Sequence, residues 1–277
     1  MREKLERVYR MGIWLEDPYT NEGRERFERA LDFMRKAVKH PFIENILKLR
    51  KIRILELCGG AGIGGIALGK ALSEKGVDVD LLITDLRASA LEIAKRWSMD
   101  VLGKEARVKV LDAREAYKLN ERFDIILIYG LSIAHFSPWD FILVLCSVND
   151  IVDDKGIFII DQIDIRHSIL MRLGYKEFVV ERVDEDRAII SIHAGYDIIK
   201  GTAKRLYINL INKERVLMDV CYWGLAELAS LVWLFFKEVD FIRMLGDRYF
   251  ILAKGPRRKF TMKELKNSIP REVDLSL

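Results

Sequence analysis

Apolar residues recur at helical spacing through NEGRERFERALDFMRKAVKH, where Phe27, Ala30, Leu31, Met34 and Val38 share one face. Asn21 is the expected cap of this helix and Pro41 its break. From Lys51 the period changes. Short apolar runs (IRILEL, VDVDLLITD, ARVKVLDA, FDIILIYG, GIFIIDQID) alternate with amphipathic stretches such as GGIALGKALSEK, ASALEIAKRWSMDVL and PWDFILVLCSVND. Strands alternating with helices predict parallel βαβ units wound on both faces of one sheet. Near Tyr175 the pattern changes again. YKEFVVERVDEDRAIISIHAG and KRLYINLINKERVLMDVCYW read as two antiparallel hairpins, turning at Asp184–Asp186 and near Asn212 and Lys213. LAELASLVWLFF then reads as a helix, and VDFIRMLGDRYFILAKG as a closing hairpin.

The pattern predicts an α/β fold with a doubly wound, seven-stranded, mostly parallel sheet. Residues 1–50 form an N-terminal helical cap and 51–173 the α/β core. An antiparallel β insertion spans 174–222, acting as a lid or a dimer surface, because an exposed edge strand invites pairing. The core ends over 223–255, and 256–277 form a tail.

Bulk properties narrow the class. Half of the 277 residues are hydrophobic, enough for a large core, and the net charge of +4 is too weak to mark a nucleic-acid binder by itself. Cys58, Cys146 and Cys221 lie far apart, which argues against a disulfide framework or a zinc site. No carboxylate or histidine cluster has ligand spacing, so no metal is expected. The longest apolar stretch contains Glu227 and is too short for a bilayer, and the charged N-terminus has no signal-like apolar region. These features predict a cytoplasmic protein. A single glutamine, Gln162, among many charged residues gives a hyperthermophile-like composition.

The chemistry concentrates in ILELCGGAGIGG, residues 54–65. Gly60, Gly62 and Gly65 follow a strand and open a helix, so a ligand can approach the backbone beside a helix N-terminus. Asp85 ends the next strand about 20 residues on, where an acid accepts hydrogen bonds from ribose hydroxyls. Glu56 decides between nucleotides. A carboxylate repels a pyrophosphate and favours a ligand with a cationic amino-acid end.

Glu56, Leu57, Cys58, Gly59, Gly60, Ala61 and Gly62 resemble motif I of the class I S-adenosylmethionine-dependent methyltransferases, acid-x-Gly-x-Gly-x-Gly, with Cys58 where the first glycine usually stands. The resemblance runs from Ile52 to Lys254. It implies that S-adenosylmethionine is the cofactor and that Asp85, followed by Leu86, meets the ribose. It also implies that Asp112 and Ala113 meet the adenine, and that Tyr129 and Gly130 lie beside the methionine part.

The acceptor is less legible, because a sulfonium supplies its own leaving-group power and the enzyme chiefly positions the nucleophile. The end of the fourth strand, Tyr129-Gly130-Leu131-Ser132, lacks the Asn/Asp-Pro-Pro-aromatic run of enzymes acting on base amino groups or glutamine. That gap weakens the nucleic-acid reading, and the β insertion resembles the substrate-covering additions of small-molecule members of the family, which implies a small or medium-sized acceptor, methylated on oxygen or nitrogen. His135 is the candidate general base or clamp, and Trp14, Tyr19, Phe136, Trp139 and Asp161 are the candidate pocket residues. Alternatives are an RNA or protein methyltransferase using the basic stretches Lys48–Arg53 and Arg257–Lys259, and an NAD-binding oxidoreductase using the same glycines.

Overall fold

The structure, a computed structural model, describes residues 1–273 and 275. Strands β1 (Lys51–Leu57), β2 (Asp78–Asp85), β3 (Arg107–Val110), β4 (Phe123–Ile128) and β5 (Val152–Ile163) pair in parallel. A second sheet follows. It is an antiparallel meander of β6 (Phe178–Val183), β7 (Ala188–Asp197), β8 (Thr202–Asn209) and β9 (Arg215–Val220). β10 (Phe236–Arg243) and β11 (Arg248–Pro256) then rejoin the main sheet, whose order is β10-β11-β5-β4-β1-β2-β3, with β11 antiparallel to both neighbours.

The central strands of the main sheet are buried on both faces, which is why β1, β4 and β5 read as largely apolar runs. Along β1, Ile52 and Ile54 face one core and Leu55 and Leu57 the other. β4 and β5 repeat the alternation, with Leu127 and Ile159 on the first side and Ile128 and Ile160 on the second. Helices α1 (Arg2–Arg10), α2 (Asn21–Ala37), α3 (Pro41–Glu44), α4 (Ile63–Ser73) and α5 (Ala88–Leu102) precede β3. Of these, α2, α4 and α5 cover the first face. α6 (Pro138–Ile151) covers the second. The short α7 (Ile165–His167) follows β5, and α8 (Leu225–Phe235) and α9 (Met262–Asn267) complete the second layer. No helix among the described residues is long and apolar enough to cross a membrane.

Three local readings change. Thr20, not Asn21, caps α2: its hydroxyl accepts from the Gly23 N–H at 3.1 Å. Pro41 opens a helix as well as ending one, since it stands in the first turn of α3 behind the cap His40. α2 belongs to the main core, while α1 lies apart from it. Leu5, Val8, Met11 and Ile13 pack with Ile189, Tyr207, Val216 and Met218 in a separate apolar cluster under the small sheet.

The chain runs from β1 outward to β2 and β3, then returns to β4 on the other side of β1. That reversal opens a crevice at the carboxyl ends of β1 and β4, where open α/β sheets bind ligands.

Candidate active site at the carboxyl edge

β1 ends in a turn that only unusual backbone angles can make. Cys58, Gly60 and Gly62 have φ of 55°, 52° and 80°, and α4 starts immediately after. A side chain at left-handed φ costs roughly 1–2 kcal/mol, which Cys58 carries where a glycine would not. Burial, with Asp85 and Asp112 nearby, pushes its thiol well above the usual range, so it is no nucleophile at neutral pH.

Glu56 points to the same side as Ile52 and Ile54, into an otherwise apolar layer, and is 1% exposed. The glycines make room for it. A Cβ on Gly64 would lie 2.5 Å from Glu56 Oε1, and one on Gly65 would lie 2.6 Å from Oε2. Oε2 has no hydrogen-bond partner. Burial pushes the Glu56 pKa up to about 8, against the opposing pull of the Gly65 and Gly64 N–H groups. A buried acid with an orphaned oxygen fits a ligand bearing an ammonium group.

The next two strands end in the same unit, Asp-x-Arg. Asp85 Oδ1 accepts from the backbone N–H of Arg87 at 2.8 Å and from its Nε at 3.1 Å, while Oδ2 accepts from the Gly60 N–H at 2.8 Å. Asp112 Oδ1 accepts from the backbone N–H of Arg114 at 2.9 Å and its Nε at 3.0 Å, and Oδ2 accepts from Nη2 at 2.7 Å. Burial works to raise the Asp112 pKa, but the Arg114 hydrogen bonds and charge outweigh it and leave the pKa lowered.

These residues border two adjoining pockets. The first, about 590 Å³, is lined by Asp85, Leu86, Asp112, Ala113, His135 and Phe136, with Leu5 and Tyr9 of α1 as its roof. The second, about 380 Å³, is lined by Glu56, Gly59, Tyr129, Gly130, Glu16 and Arg26. Cys58, Ser132, Tyr9 and Arg87 border both. Gly60 joins the site through its bond to Asp85, whereas Gly62 packs against Ile66 and Ile83.

His135 lies in the first pocket. Burial and the nearby Arg87 push its pKa down to about 4, and its Nδ1 has no partner. It is a neutral imidazole at physiological pH, suited to accepting a hydrogen bond. Trp14 stands edge-on to it, 6.4 Å between centroids, within the roof.

Three candidates lie elsewhere. The Tyr19 hydroxyl donates to Asp100 at 2.6 Å, and its ring packs against Trp97 of α5, away from both pockets. Trp139 donates its indole N–H to the Ile199 carbonyl at 2.9 Å, tying α6 to the turn between β7 and β8. Asp161 is fully buried, accepting from the Gly130 N–H and from Arg248. Arg87, Glu16 and Arg26 escaped the sequence reading. The repeated Asp-x-Arg at 85–87 and 112–114 was the available signal for the first of them. Among the described residues, no group of three His, Cys, Asp or Glu side chains is placed to hold a metal ion.

The family model described as "Lysine methyltransferase" matches residues 28–133. No curated protein matches the chain. Among solved structures, the PH0226 protein from Pyrococcus horikoshii OT3 is 20% identical, with a TM-score of 0.61 over 91% of this chain and 99% of that one. An S-adenosylmethionine-dependent methyltransferase from Clostridium acetobutylicum ATCC 824 is 15% identical, with a TM-score of 0.59 over 82% of this chain and 91% of that one. The sugar N-methyltransferase KedS8 from Streptoalloteichus sp ATCC 53650 is 12% identical, with a TM-score of 0.55 over 82% and 88%. These likenesses establish the fold, and the family-model match sets the NAD-binding alternative aside. The chain thus has the fold of S-adenosylmethionine-dependent methyltransferases, its residues 28–133 match a methyltransferase family model, and S-adenosylmethionine is the cofactor that these findings support.

Proposed function

We propose that the enzyme transfers the methyl group to an oxygen or nitrogen of a small or medium-sized acceptor. The roof carries this reading. The pocket that takes the nucleoside is covered by Leu5 and Tyr9, and α1 is itself held under the inserted sheet. A covered site suits an acceptor that can be surrounded, and closure excludes water from the transfer. A further cavity between the segment after β5 and the small sheet, walled by Tyr175, His193, Tyr196 and Tyr222, has the aromatic character of small-molecule sites.

In this reading Glu56 takes the ammonium group and Asp85 the ribose. Asp112, Ala113 and Leu86 surround the adenine, and Tyr129 and Gly130 flank the methionine part. The bound cofactor supplies an electrophilic methyl on a sulfonium. His135, neutral and unpartnered at Nδ1, offers a free ring nitrogen for a hydrogen bond at the same pocket.

The basic stretches give the RNA alternative little support, because three of their cations are paired within the chain. Arg53 pairs with Asp124 at 3.2 Å, Lys51 with Asp80 at 3.5 Å, and Arg258 with Asp154. A protein lysine is the second reading, favoured by the description of the matching family model. Incubation of the enzyme with methyl-tritiated cofactor and fractionated cell extract separates them. Label in the small-molecule fraction supports our reading. Label in protein, released as methyl-lysine on hydrolysis, supports the second reading and overturns ours.

A further inference from the structure

Asp85 cannot serve a ribose as it stands. A carboxylate offers about four acceptor positions. Oδ1 already takes two Arg87 donors, at 2.8 and 3.1 Å, and Oδ2 takes the Gly60 N–H at 2.8 Å, with Arg87 Nη2 a further 3.4 Å away. Two ribose hydroxyls need two positions, so the Arg87 side chain has to give one up. It has somewhere to go. Both Nη atoms already face Glu16, and the guanidinium lies 3.6 Å from the Tyr9 ring centroid. Glu16 and Tyr9 both belong to the N-terminal segment that roofs the pocket. Arg87 is 5% exposed, so an unpaired charge there is costly, and release from Asp85 strengthens its attachment to Glu16.

We infer that Arg87 is a positioning residue shared between the cofactor acid and the roof: it aims Asp85 while the pocket is free, and passes to Glu16 when a ribose takes Asp85. Filling the nucleoside pocket thereby fastens residues 1–17 over it. The inference rests on S-adenosylmethionine occupying this pocket and is independent of the acceptor's identity. By reciprocity, whatever loosens the fastening also weakens the ligand.

The test uses S-adenosylhomocysteine as the probe. Its affinity is measured by calorimetry, and backbone hydrogen exchange over residues 1–17 is followed with and without it, in wild type, Glu16→Gln and Arg87→Lys. In wild type the probe should slow exchange over residues 1–17. In Glu16→Gln that slowing should vanish and binding should weaken about tenfold, the effect of losing one charge-assisted hydrogen bond. Arg87→Lys, which keeps the charge but not the fork, should show part of the slowing. Glu16 is partly exposed, so its variant should fold. Equal slowing in wild type and Glu16→Gln would overturn the inference, as would wild-type binding with no change over residues 1–17. Failure of wild type to bind the probe would overturn it together with the assignment of the pocket.

Discussion

Asp161 and Gly130 are joined across neighbouring strands, the backbone N–H of Gly130 donating to the carboxylate at 2.9 Å. Arg248 donates to the same carboxylate from the other side, its guanidinium 5.2 Å from the centroids of both Tyr129 and Phe33. The turn after β4, with Gly130 and Leu131 at φ of 83° and 64°, therefore hangs from β5. The carboxylate offered by the sequence to an acceptor is engaged in shaping the rim.

Removing it should unfold more than it disarms. Asp161→Ala leaves a largely buried guanidinium and the Gly130 N–H without their partner. The expected cost is about 3–5 kcal/mol in urea unfolding. Asp161→Asn, which can still accept from Gly130, should cost less. An Asp161→Ala variant of wild-type stability would show that Arg248 finds another partner.

Glu56 makes stability depend on pH with a defined sign. Its pKa rises from 4.5 to about 8 on folding, so between these values the folded chain holds a proton that the unfolded chain has lost. The stabilisation is complete below about pH 4.5 and disappears as pH rises through about 8. Wild type should lose stability relative to Glu56→Gln across this window, measured by denaturant unfolding at several pH values. Parallel curves would place the Glu56 carboxyl in a more polar setting than this one.

The same proton should leave when the cofactor arrives. An ammonium beside Glu56 favours its ionised form, so binding near pH 6.5 should release a proton to the buffer. Calorimetry of S-adenosylhomocysteine in two buffers of different ionisation enthalpy should then give different apparent enthalpies. The difference should vanish in Glu56→Gln. No difference in wild type would mean that the ammonium lies away from Glu56.

Cys58 should be more tolerant of glycine than of any branched residue. Cys58→Gly relieves the left-handed strain but raises unfolded-chain entropy, leaving stability within about 1 kcal/mol. Cys58→Val puts a β-branched side chain at φ of 55° and should lose more than about 2 kcal/mol. Thermal unfolding of the two variants checks the order.

The main sheet was legible because its central strands are buried on both faces, and a continuous apolar run such as Ile125–Ile128 has few other uses. Glu56, Asp85 and Asp112 were legible for the opposite reason: acids at the ends of such runs are conspicuous. Arg87 was not, because its meaning depends on Glu16 and Tyr9, whose positions relative to β2 no local pattern encodes. Aromatic residues were the weakest guide. Trp14 and Tyr19 look alike in sequence, yet one stands in the roof and the other against Trp97 and Asp100 of α5. Trp139 also looked like a pocket wall, and its indole fastens the small sheet to α6.

The cluster that joins α1 to the small sheet also sets an order of assembly. Leu5 and Val8 precede their partners Val216 and Met218 by about two hundred residues, and contacts of such separation form late in folding. The apolar stripe of α1 thus waits uncovered while the sheet beneath it is built. Until the small sheet is made, the nascent chain can complete its glycine turn and both Asp-x-Arg units yet lacks the apolar cluster that seats α1. The pocket beneath α1 is closed by the meeting of that helix with a sheet made long after it.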